Sequence, residues 1–280
     1  MADMKIIDSH VHFFPDEVFR AIWRWFDEHG WRVKYQRPVE ELVKILKSAG
    51  IQRYVCFNYA HKPEMASYLN RWTGEFAGKH AECIPFAAIH PGDTDIAGEL
   101  KRCFDNGFAG VKIHCHVSAI APDDESMFPI YESIVDAGKV LEIHAGTGPE
   151  LEGYSKTTSS VSGTDRIAKM MKRFPRMKVI VPHFGVSDYR GLFDLMDEYP
   201  TLYTDNTMVL SGFFSEPPDM NYLVDAISRH RGRVLYGSDF PNIPYDIRTE
   251  LDAILKLPLD RDILEGMMHG NAEKLFNLTA

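Results

Sequence analysis

The sequence has little cysteine: it contains four among 280 residues, and no two of them are spaced as CxxC. Cys56, Cys83 and Cys103 lie within apolar patterns, which is typical of reduced core residues rather than of disulfide bridges. No apolar run approaches the length of a membrane span, and the first residues, MADMKIIDSH, lack the features of a secretory signal. These absences predict a cytoplasmic globular protein that does not enter a membrane.

An excess of basic residues is also absent. Lysine and arginine number 31 against 40 aspartates and glutamates, so the net charge is −9. Nucleic acids and anionic membranes both require a basic face, so neither is expected as a partner. The chain length suits one large domain, which we expect to span residues 1–280, and the partner that remains is a small-molecule substrate. A homodimer is left open.

Short β-branched or apolar segments of strand length recur eight times along the chain. They are KIID (5–8), IQRYVCF (51–57), CIPFAAI (83–89), GVKIH (110–114), VLEIH (140–144), KVIVPH (178–183), TLYTD (201–205) and RVLYGSD (233–239). Helical spacing occupies most of the intervals, at 39–50, 94–107, 127–138, 162–175, 188–198, 218–230, 246–256 and 260–277. Strands that alternate with helices pair in parallel, and eight such units predict an α/β fold, the (β/α)8 or TIM barrel. The alternative, a doubly wound open sheet, is disfavoured because no GxGxxG follows any strand.

Two segments allow more than one interpretation. The aromatic-rich stretch from Phe13 to Tyr35 follows the first strand, and it predicts either an outer helix with a large apolar face or a lid or oligomer contact. The Ser- and Thr-rich stretch 148–165 follows the fifth strand, and a substrate-closing loop and a solvated connector fit it equally well.

Histidines are concentrated where the predicted strands end. Reactive groups of such a barrel gather at the carboxyl ends of its strands. Seven of the twelve histidines fall at these ends: His10, His12, His90, His114, His116, His144 and His183. Asp205 and Asn206 follow the seventh strand, and Asp239 follows the eighth.

The first strand ends in His10-Val11-His12, and alternate residues of a strand point to the same face. Two imidazoles are therefore directed at one point, as a metal ion requires. Together with His144 and Asp239 from other strand ends, they predict a site for one divalent ion. Zinc suits such nitrogen and oxygen ligands best, and manganese, iron or cobalt would also fit.

The chain resembles the amidohydrolase superfamily, and within it the amidohydrolase-2 branch, in segments that run in order along nearly its whole length. The matching segments are IDSHVHFFP, GVKIH, EIHAG, VPHFG, LYGSDFP and NAEKLFNL. The resemblance implies a distorted barrel in which His10, His12, His144 and Asp239 are metal ligands. It also implies that His183 acts as a base or orients substrate. Two-metal relatives carry a carboxylated lysine on the fourth strand, but GVKIH is the pattern of this branch, so one metal is expected.

Further roles follow for residues beside these positions. Lys112 is expected to contact substrate or to lie in a buried ion pair with Glu142, and His114 and Asn206 are expected substrate contacts. Asp8 is expected either to orient a ligand or to make local hydrogen bonds at the strand end.

Three functions are compatible with these residues. The preferred one is hydrolysis of a small amide, ester or lactone, in which the metal activates water and Asp239 and His183 share the proton transfers. The alternative is a non-oxidative decarboxylase of an aromatic or enoic acid, in which Arg190 is a candidate to bind the carboxylate unless it lies at an exposed helix start. A barrel that binds a metabolite without turnover is the third, and the full set of ligands argues against it.

Overall fold

The computed structural model describes residues 4–213 and 218–278, and a ring of eight parallel strands lies at its centre. Residues 1–3, 214–217 and 279–280, which the single-domain prediction also covers, lie outside the described residues. Each strand pairs with its neighbours in chain order, so the predicted (β/α)8 barrel is confirmed. The strands are β1 (Ile7–His12), β2 (Arg53–Phe57), β3 (Cys83–Ala88), β4 (Gly110–His114), β5 (Val140–His144), β6 (Lys178–Val181), β7 (Leu202–Asp205) and β8 (Val234–Leu235).

The barrel closes between β1 and the chain that follows β8. Ser9 N donates to Tyr236 O at 2.8 Å, and His12 N donates to Phe240 O at 2.8 Å. Regular pairing of β8 ends at Leu235, although the sequence pattern extends this strand to Asp239. At Asp239, whose carboxylate belongs to the candidate site, φ is +60°, so the backbone has left the extended conformation of a strand.

Helices fill the intervals between strands and cover the outside of the barrel. In the described residues they are α1 (Asp16–His29), α2 (Val39–Ser48), α3 (Ala66–Lys79), α4 (Ile96–Asp105), α5 (Cys115–Ser118), α6 (Phe128–Asp136), α7 (Thr158–Val161), α8 (Thr164–Arg173), α9 (Tyr189–Glu198), α10 (Met220–Arg229), α11 (Arg248–Ile254), α12 (Arg261–Glu265) and α13 (Asn271–Leu275). None of them is both long enough and apolar enough to span a bilayer.

The sequence analysis missed α3, the helix between β2 and β3. Its apolar stripe is weak because Asn70 and Thr73 occupy buried positions on it. Both are satisfied by hydrogen bonds: Asn70 Nδ2 donates to Ala88 O at 2.9 Å, and Thr73 Oγ1 accepts from Asn58 Nδ2 at 2.9 Å. Polar side chains that bond to the barrel therefore stand where hydrophobic periodicity would show apolar ones.

The interior of the barrel is layered because alternate residues of each strand point inward. At the amino ends of the strands, apolar side chains such as Val55, Ile84 and Val140 form a core that Leu275 and Phe276 close from below. Further along the strands the interior becomes polar, with Lys112, Glu142 and Asp205 buried there, and β1, β4 and β5 each end in a histidine. Gly110 makes room in the lower part, because a Cβ there would lie 2.5 Å from the Phe86 ring.

Candidate metal centre and active site

Three ligand atoms converge at the carboxyl mouth of the barrel. His10 Nε2 and His12 Nε2 are 3.2 Å apart, and Asp239 Oδ1 lies 3.3 Å from the first and 2.9 Å from the second. Metal–ligand bonds of about 2.0–2.2 Å place neighbouring ligand atoms about 3 Å apart. The spacing of these atoms is therefore that of one coordination shell.

The conformation of β1 and its neighbour produces this convergence. The pairing of β1 with β2 shifts between Asp8 and Val11, which marks a bulge that includes His10. Gly237 allows His10 to approach β8, because a Cβ there would lie 2.7 Å from His10 Cβ and 2.4 Å from Thr207 Oγ1. A larger residue at 237 would displace the first ligand.

Two buried carboxylates fix the orientation of His10. Its Nδ1 lies 3.0 Å from Asp205 Oδ2 and 3.0 Å from Glu142 Oε1. A carboxylate accepts the Nδ1 proton, so Nε2 is the nitrogen that faces the other ligand atoms and would bind an ion after losing its own proton. Asp205 also accepts from the backbone N–H groups of His183 and Thr207, which hold it in place. Burial opposes ionisation of Asp205, yet His10 and these bonds lower its pKa below the ordinary value.

The charge of the centre calls for a cation. The buried carboxylates of Glu142, Asp205 and Asp239 stand against the ammonium group of Lys112 and against His10, whose pKa lies well above its ordinary value because Glu142 and Asp205 outweigh burial and Lys112. Burial lowers the pKa of His12 to about 3, so this imidazole is neutral and available as a ligand. A divalent ion among His10, His12 and Asp239 would balance the charge, and the residues present therefore fit such an ion.

His144 lies beside the cluster of His10, His12 and Asp239 and is not among its three closely spaced ligand atoms. Its ring is 4.7 Å from the ring of His183 and stacks on that of His114 at 4.1 Å between centroids. Its Nε2 is buried and has no hydrogen-bond partner. Burial, and then His114, lowers the pKa of His144 well below its ordinary value, so the imidazole is neutral. A buried nitrogen without a hydrogen-bond partner at the barrel mouth suits a metal ligand. The assignment of His144 as the fourth ligand stays a prediction.

His183 and Asp239 both occupy strained backbone conformations. Each has φ of +60°, a region that costs a non-glycine residue about 1–3 kcal/mol. His183 Nδ1 lies 2.9 Å from the carbonyl oxygen of Thr207, so Nδ1 carries the proton and Nε2 is the basic nitrogen. Burial lowers the pKa of His183, whereas hydrogen bonds from His10 and His12 outweigh burial and lower that of Asp239 well below its usual range. The pair thus combines an anionic carboxylate with a neutral imidazole.

A small cavity, the inner chamber, opens beside these residues. It has a volume of about 40 Å³, and its polar lining includes His12, His114, His144, His183 and Asp239. The rest of its wall is mainly aromatic. The rings are those of Phe26, Trp31, Tyr59 and Tyr154.

Both segments with open interpretations contribute to this wall. Phe26 belongs to α1, within the aromatic stretch 13–35, and Tyr154 belongs to the stretch 148–165. The Trp25 ring lies 5.3 Å from that of Tyr154, and a Cβ on Gly153 would come within 2.6 Å of the indole. The helix and the loop therefore meet over the mouth of the barrel.

Several residues expected at the site have other contacts. Lys112 is fully buried and donates to Glu142 Oε1 at 2.9 Å, which is the predicted ion pair. Asn206 is buried too; its side chain bonds to Gly237 and to Glu250 Oε1 at 2.9 Å. Neither residue is among the described residues that line the inner chamber.

Asp8, His90 and Arg190 also lie outside the chamber lining. Asp8 Oδ1 accepts from the backbone N–H groups of His10 and Ser238, which is the local role, and burial raises its pKa to about 7. His90 Nδ1 accepts from Gly92 N at 3.0 Å. Arg190 is exposed at the start of α9 and pairs with Asp219 at 2.8 Å.

The sequence analysis assigned no role to four of the residues that build the site. Asp205 was recognised only as a strand end, although it orients His10. Tyr59, Tyr154 and Trp31 received none, because each stands in a loop or turn where sequence periodicity carries no information about direction. The position of Tyr59 directly after β2 was the one available signal.

A candidate metal centre at the mouth of a parallel barrel is what this fold and donor set define. The model of the amidohydrolase family matches residues 7–278, and the chain belongs to this family of enzymes. A comparison with curated proteins finds no matching sequence.

Solved structures resemble the chain over nearly its whole length. An uncharacterised TIM-barrel protein from Bordetella bronchiseptica is 20% identical with a TM-score of 0.73, and the alignment covers 98% of each chain. The 5-carboxyvanillate decarboxylase of Sphingomonas paucimobilis is 16% identical with a TM-score of 0.71, covering 99% of this chain and all of that one, 100%. A dihydroxybenzoic acid decarboxylase from Polaromonas sp. JS666, solved with manganese and the inhibitor 2-nitroresorcinol, is 17% identical with a TM-score of 0.70, covering 99% and 98%. At these identities the likeness establishes the fold.

Proposed function

We propose that the protein is a metal-dependent, non-oxidative decarboxylase of an aromatic or enoic acid. The inner chamber carries this proposal: candidate ligands and a proton-carrying pair meet a small space whose wall also carries four aromatic rings, beside Gly148, Pro149, Val186, Met208 and Asn242. Among the described residues that line it, none is lysine or arginine, so a substrate carboxylate would have the metal as its cationic partner. The names of two similar structures, both decarboxylases, agree with this choice over the hydrolase that the sequence favoured.

His10, His12, His144 and Asp239 would hold one divalent ion. When bound, the ion supplies positive charge that anchors and polarises the substrate carboxylate. Zinc was the ion expected from the ligand types, and manganese accompanies one of the similar structures. The nitrogen and carboxylate donors suit both ions, and elemental analysis of the purified protein distinguishes them.

The reaction breaks the bond between the carboxylate and the adjacent carbon, and carbon dioxide leaves. The electron pair of that bond stays on the carbon, which then takes up one proton. His183 is positioned to deliver it after taking up one solvent proton at Nε2, because Nδ1 stays engaged with Thr207 O; once the proton has passed to the carbon, the imidazole is neutral again. Asp239, beside His10 and His12, would pass the solvent proton to His183 and would be anionic again after each transfer.

The aromatic wall contributes by excluding water. Tyr59 and Tyr154 are neutral phenols, since burial raises the pKa of each above its ordinary value. A water-poor chamber favours loss of carbon dioxide, in which charge spreads into the substrate, over a hydrolysis that needs a second reactant. His114, whose Nδ1 is buried and without a hydrogen-bond partner, is the proposed contact for a polar substituent of the substrate.

Hydrolysis of an amide, ester or lactone is the second candidate. The volume of the inner chamber, about 40 Å³, has room for a water molecule beside Asp239 and His183, and the same pair would accept its proton. The family description, amidohydrolase, is the observation that favours it.

One experiment separates the two functions. The protein, loaded with zinc or manganese, is incubated with hydroxybenzoates, enoic acids, aryl esters and lactones, and carbon dioxide is measured beside product formation. The decarboxylase releases gas from an acid, and in D₂O it places one deuterium on the carbon that lost the carboxylate. Turnover of esters or lactones without gas would replace this proposal with the hydrolase.

Substitutions in the candidate metal centre, and one outside it, serve as controls. His12→Ala should lose both metal and turnover, whereas His183→Asn should keep the metal and lose turnover. Arg24→Ala, at an exposed position of α1, should change neither.

A further inference from the structure

A second and larger cavity, the outer chamber, adjoins the inner one. It has a volume of about 460 Å³ and lies against α1. Phe26, Tyr59, His114 and Tyr154 line both cavities, so these side chains stand between them. The outer chamber is therefore a neighbour of the candidate active site and not a remote surface feature.

The outer chamber is largely apolar. Its wall includes Phe14, Val18, Ile22, Trp25, Met65 and Val117, and none of the described residues that line it is Asp, Glu, Lys or Arg. Its polar side chains are Tyr59, His61, His114, His116, Tyr154 and Ser155, and ring nitrogens of His114 and His116 are buried there without a hydrogen-bond partner. Such a wall favours an apolar, uncharged occupant, because a charged group would lose its hydration there without a partner.

Helix α1 explains why this space exists. Phe19 and Trp23 are buried in the core, while Val18, Ile22 and Trp25 follow one another at helical spacing on an adjacent face and are only partly buried. Trp25 packs against the loop at Gly153 and Tyr154, so the helix and the loop together border this space. The partly buried apolar face of α1 therefore borders the outer chamber, which no protein side chain fills.

The volumes of the two chambers imply that different parts of the substrate bind in each. The inner chamber, about 40 Å³, holds a group the size of a carboxylate or a few waters and cannot hold an aromatic ring. A cavity of about 150 Å³ holds one benzene, so the outer chamber, with about 460 Å³, has room for two rings or more.

We propose that the outer chamber binds an uncharged apolar portion of the substrate, of about two-ring size, while the reacting carboxylate occupies the inner chamber. The reaction assigned to the inner end depends on the proposed function; the binding of the apolar portion does not. The substrate class is therefore an aryl- or arylalkenyl-substituted acid rather than a hydroxybenzoate with a single ring.

Binding is tested first, without turnover, by calorimetric titration of the metal-loaded protein with naphthol and, for comparison, phenol. Naphthol should bind more tightly than phenol by about tenfold, because a second ring buries more apolar surface. Ile22→Trp fills the chamber from α1 and should weaken naphthol at least tenfold. Ala21→Trp does so from an exposed rim position where folding is not at risk, and Arg24→Trp, exposed on the same helix, should leave affinity unchanged.

Equal naphthol binding in the wild type and both filling variants would overturn the proposal, as would absence of binding. A third outcome would also overturn the proposal: the wild type is a dimer and binds no naphthol, and Ile22→Trp is a monomer. The outer chamber would then bind a second copy of the chain.

Turnover is tested next with a matched pair, salicylic acid and its phenyl-substituted derivatives. Wild-type kcat/KM should favour a phenyl derivative by at least about tenfold, and Ile22→Trp should remove that preference. Naphthol binding that the filling variants abolish, without carbon dioxide from any acid, would refute the proposed function and support this inference. Carbon dioxide release with no preference for the phenyl derivative would support the proposed function and refute this inference.

Discussion

Lys112 Nζ lies 2.9 Å from Glu142 Oε1 inside the barrel, and neither side chain is exposed to solvent. The same carboxylate oxygen lies 3.0 Å from His10 Nδ1, so the ion pair connects to the first metal ligand. The ammonium group also stands over the Phe57 ring, 4.2 Å from its centroid. A lysine on the fourth strand is thus held by a carboxylate and a ring beneath the site, not within the inner chamber.

Breaking this pair should cost far more than breaking a surface pair. Lys112→Met leaves Glu142 buried without its ammonium partner, and we expect a loss of about 3–5 kcal/mol in the free energy of unfolding. Lys112→Met combined with Glu142→Gln should recover part of that loss, since the uncompensated charge is gone. Denaturant unfolding measures both, and Lys101→Met, which breaks an exposed pair with Asp105, should cost at most about 0.5 kcal/mol. Similar losses at the two lysines would contradict the buried pair.

Removal of the carboxylate that orients His10 should weaken the metal without removing a ligand. Asp205→Asn keeps the shape of the side chain but no longer accepts the Nδ1 proton as an anion, so His10 becomes a poorer donor. We expect metal affinity to fall about 10- to 100-fold in a competition titration against a chelator. Asp225→Asn, at an exposed position of α10, is the matched control and should have no effect. An unchanged affinity in Asp205→Asn would show that Asp205 does not set the orientation of His10.

Contact between α1 and the loop after β5 depends on a glycine. A Cβ at position 153 would lie 2.6 Å from the Trp25 ring, which is closer than packed atoms approach, so Gly153→Ala should push the loop away from the helix. We expect faster proteolysis within 148–165 and a lower kcat/KM with the global unfolding midpoint nearly unchanged. Gly232→Ala meets nothing within 4 Å and serves as the control. Identical proteolysis of the two variants would argue against a closed contact at the mouth.

Periodicity and strand ends predicted most of the fold, because each strand and helix buries one face and so leaves a repeat in the sequence. The His10 and His12 pair was predicted for the same reason, since a strand directs alternate side chains to one side. Asp239 could be placed at the mouth by its strand, but its approach to 2.9 Å from His12 depends on a positive φ that no sequence period reveals.

The remainder of the site depends on contacts between distant segments. Asn206 illustrates this: its position after β7 suggested a substrate contact, yet a buried glutamate 44 residues later binds its amide. The aromatic wall is similar, since α1 and the loop carrying Tyr154 meet only after the barrel has closed. Such relations follow from packing in three dimensions, and a single sequence carries no periodic signal for them.

The carboxyl group that binds Asn206 should make stability depend on pH. Burial raises the pKa of Glu250 from 4.5 to about 8, and its Oε2 is buried without a partner; the hydrogen bonds that Oε1 accepts from Asn206 and Leu210 act in the opposite direction and offset burial only in part. The folded state then binds more protons than the unfolded state between these values, so the stabilisation is complete below pH 4.5 and is lost as pH rises towards about 8. Glu250→Gln cannot ionise, so its stability relative to the wild type should rise across this window by at least about 1 kcal/mol. Thermal unfolding at several pH values measures the difference, with Glu132→Gln, exposed on α6, as the control. Parallel pH profiles for wild type and Glu250→Gln would mean that Glu250 ionises equally in both states and that its burial has no energetic effect.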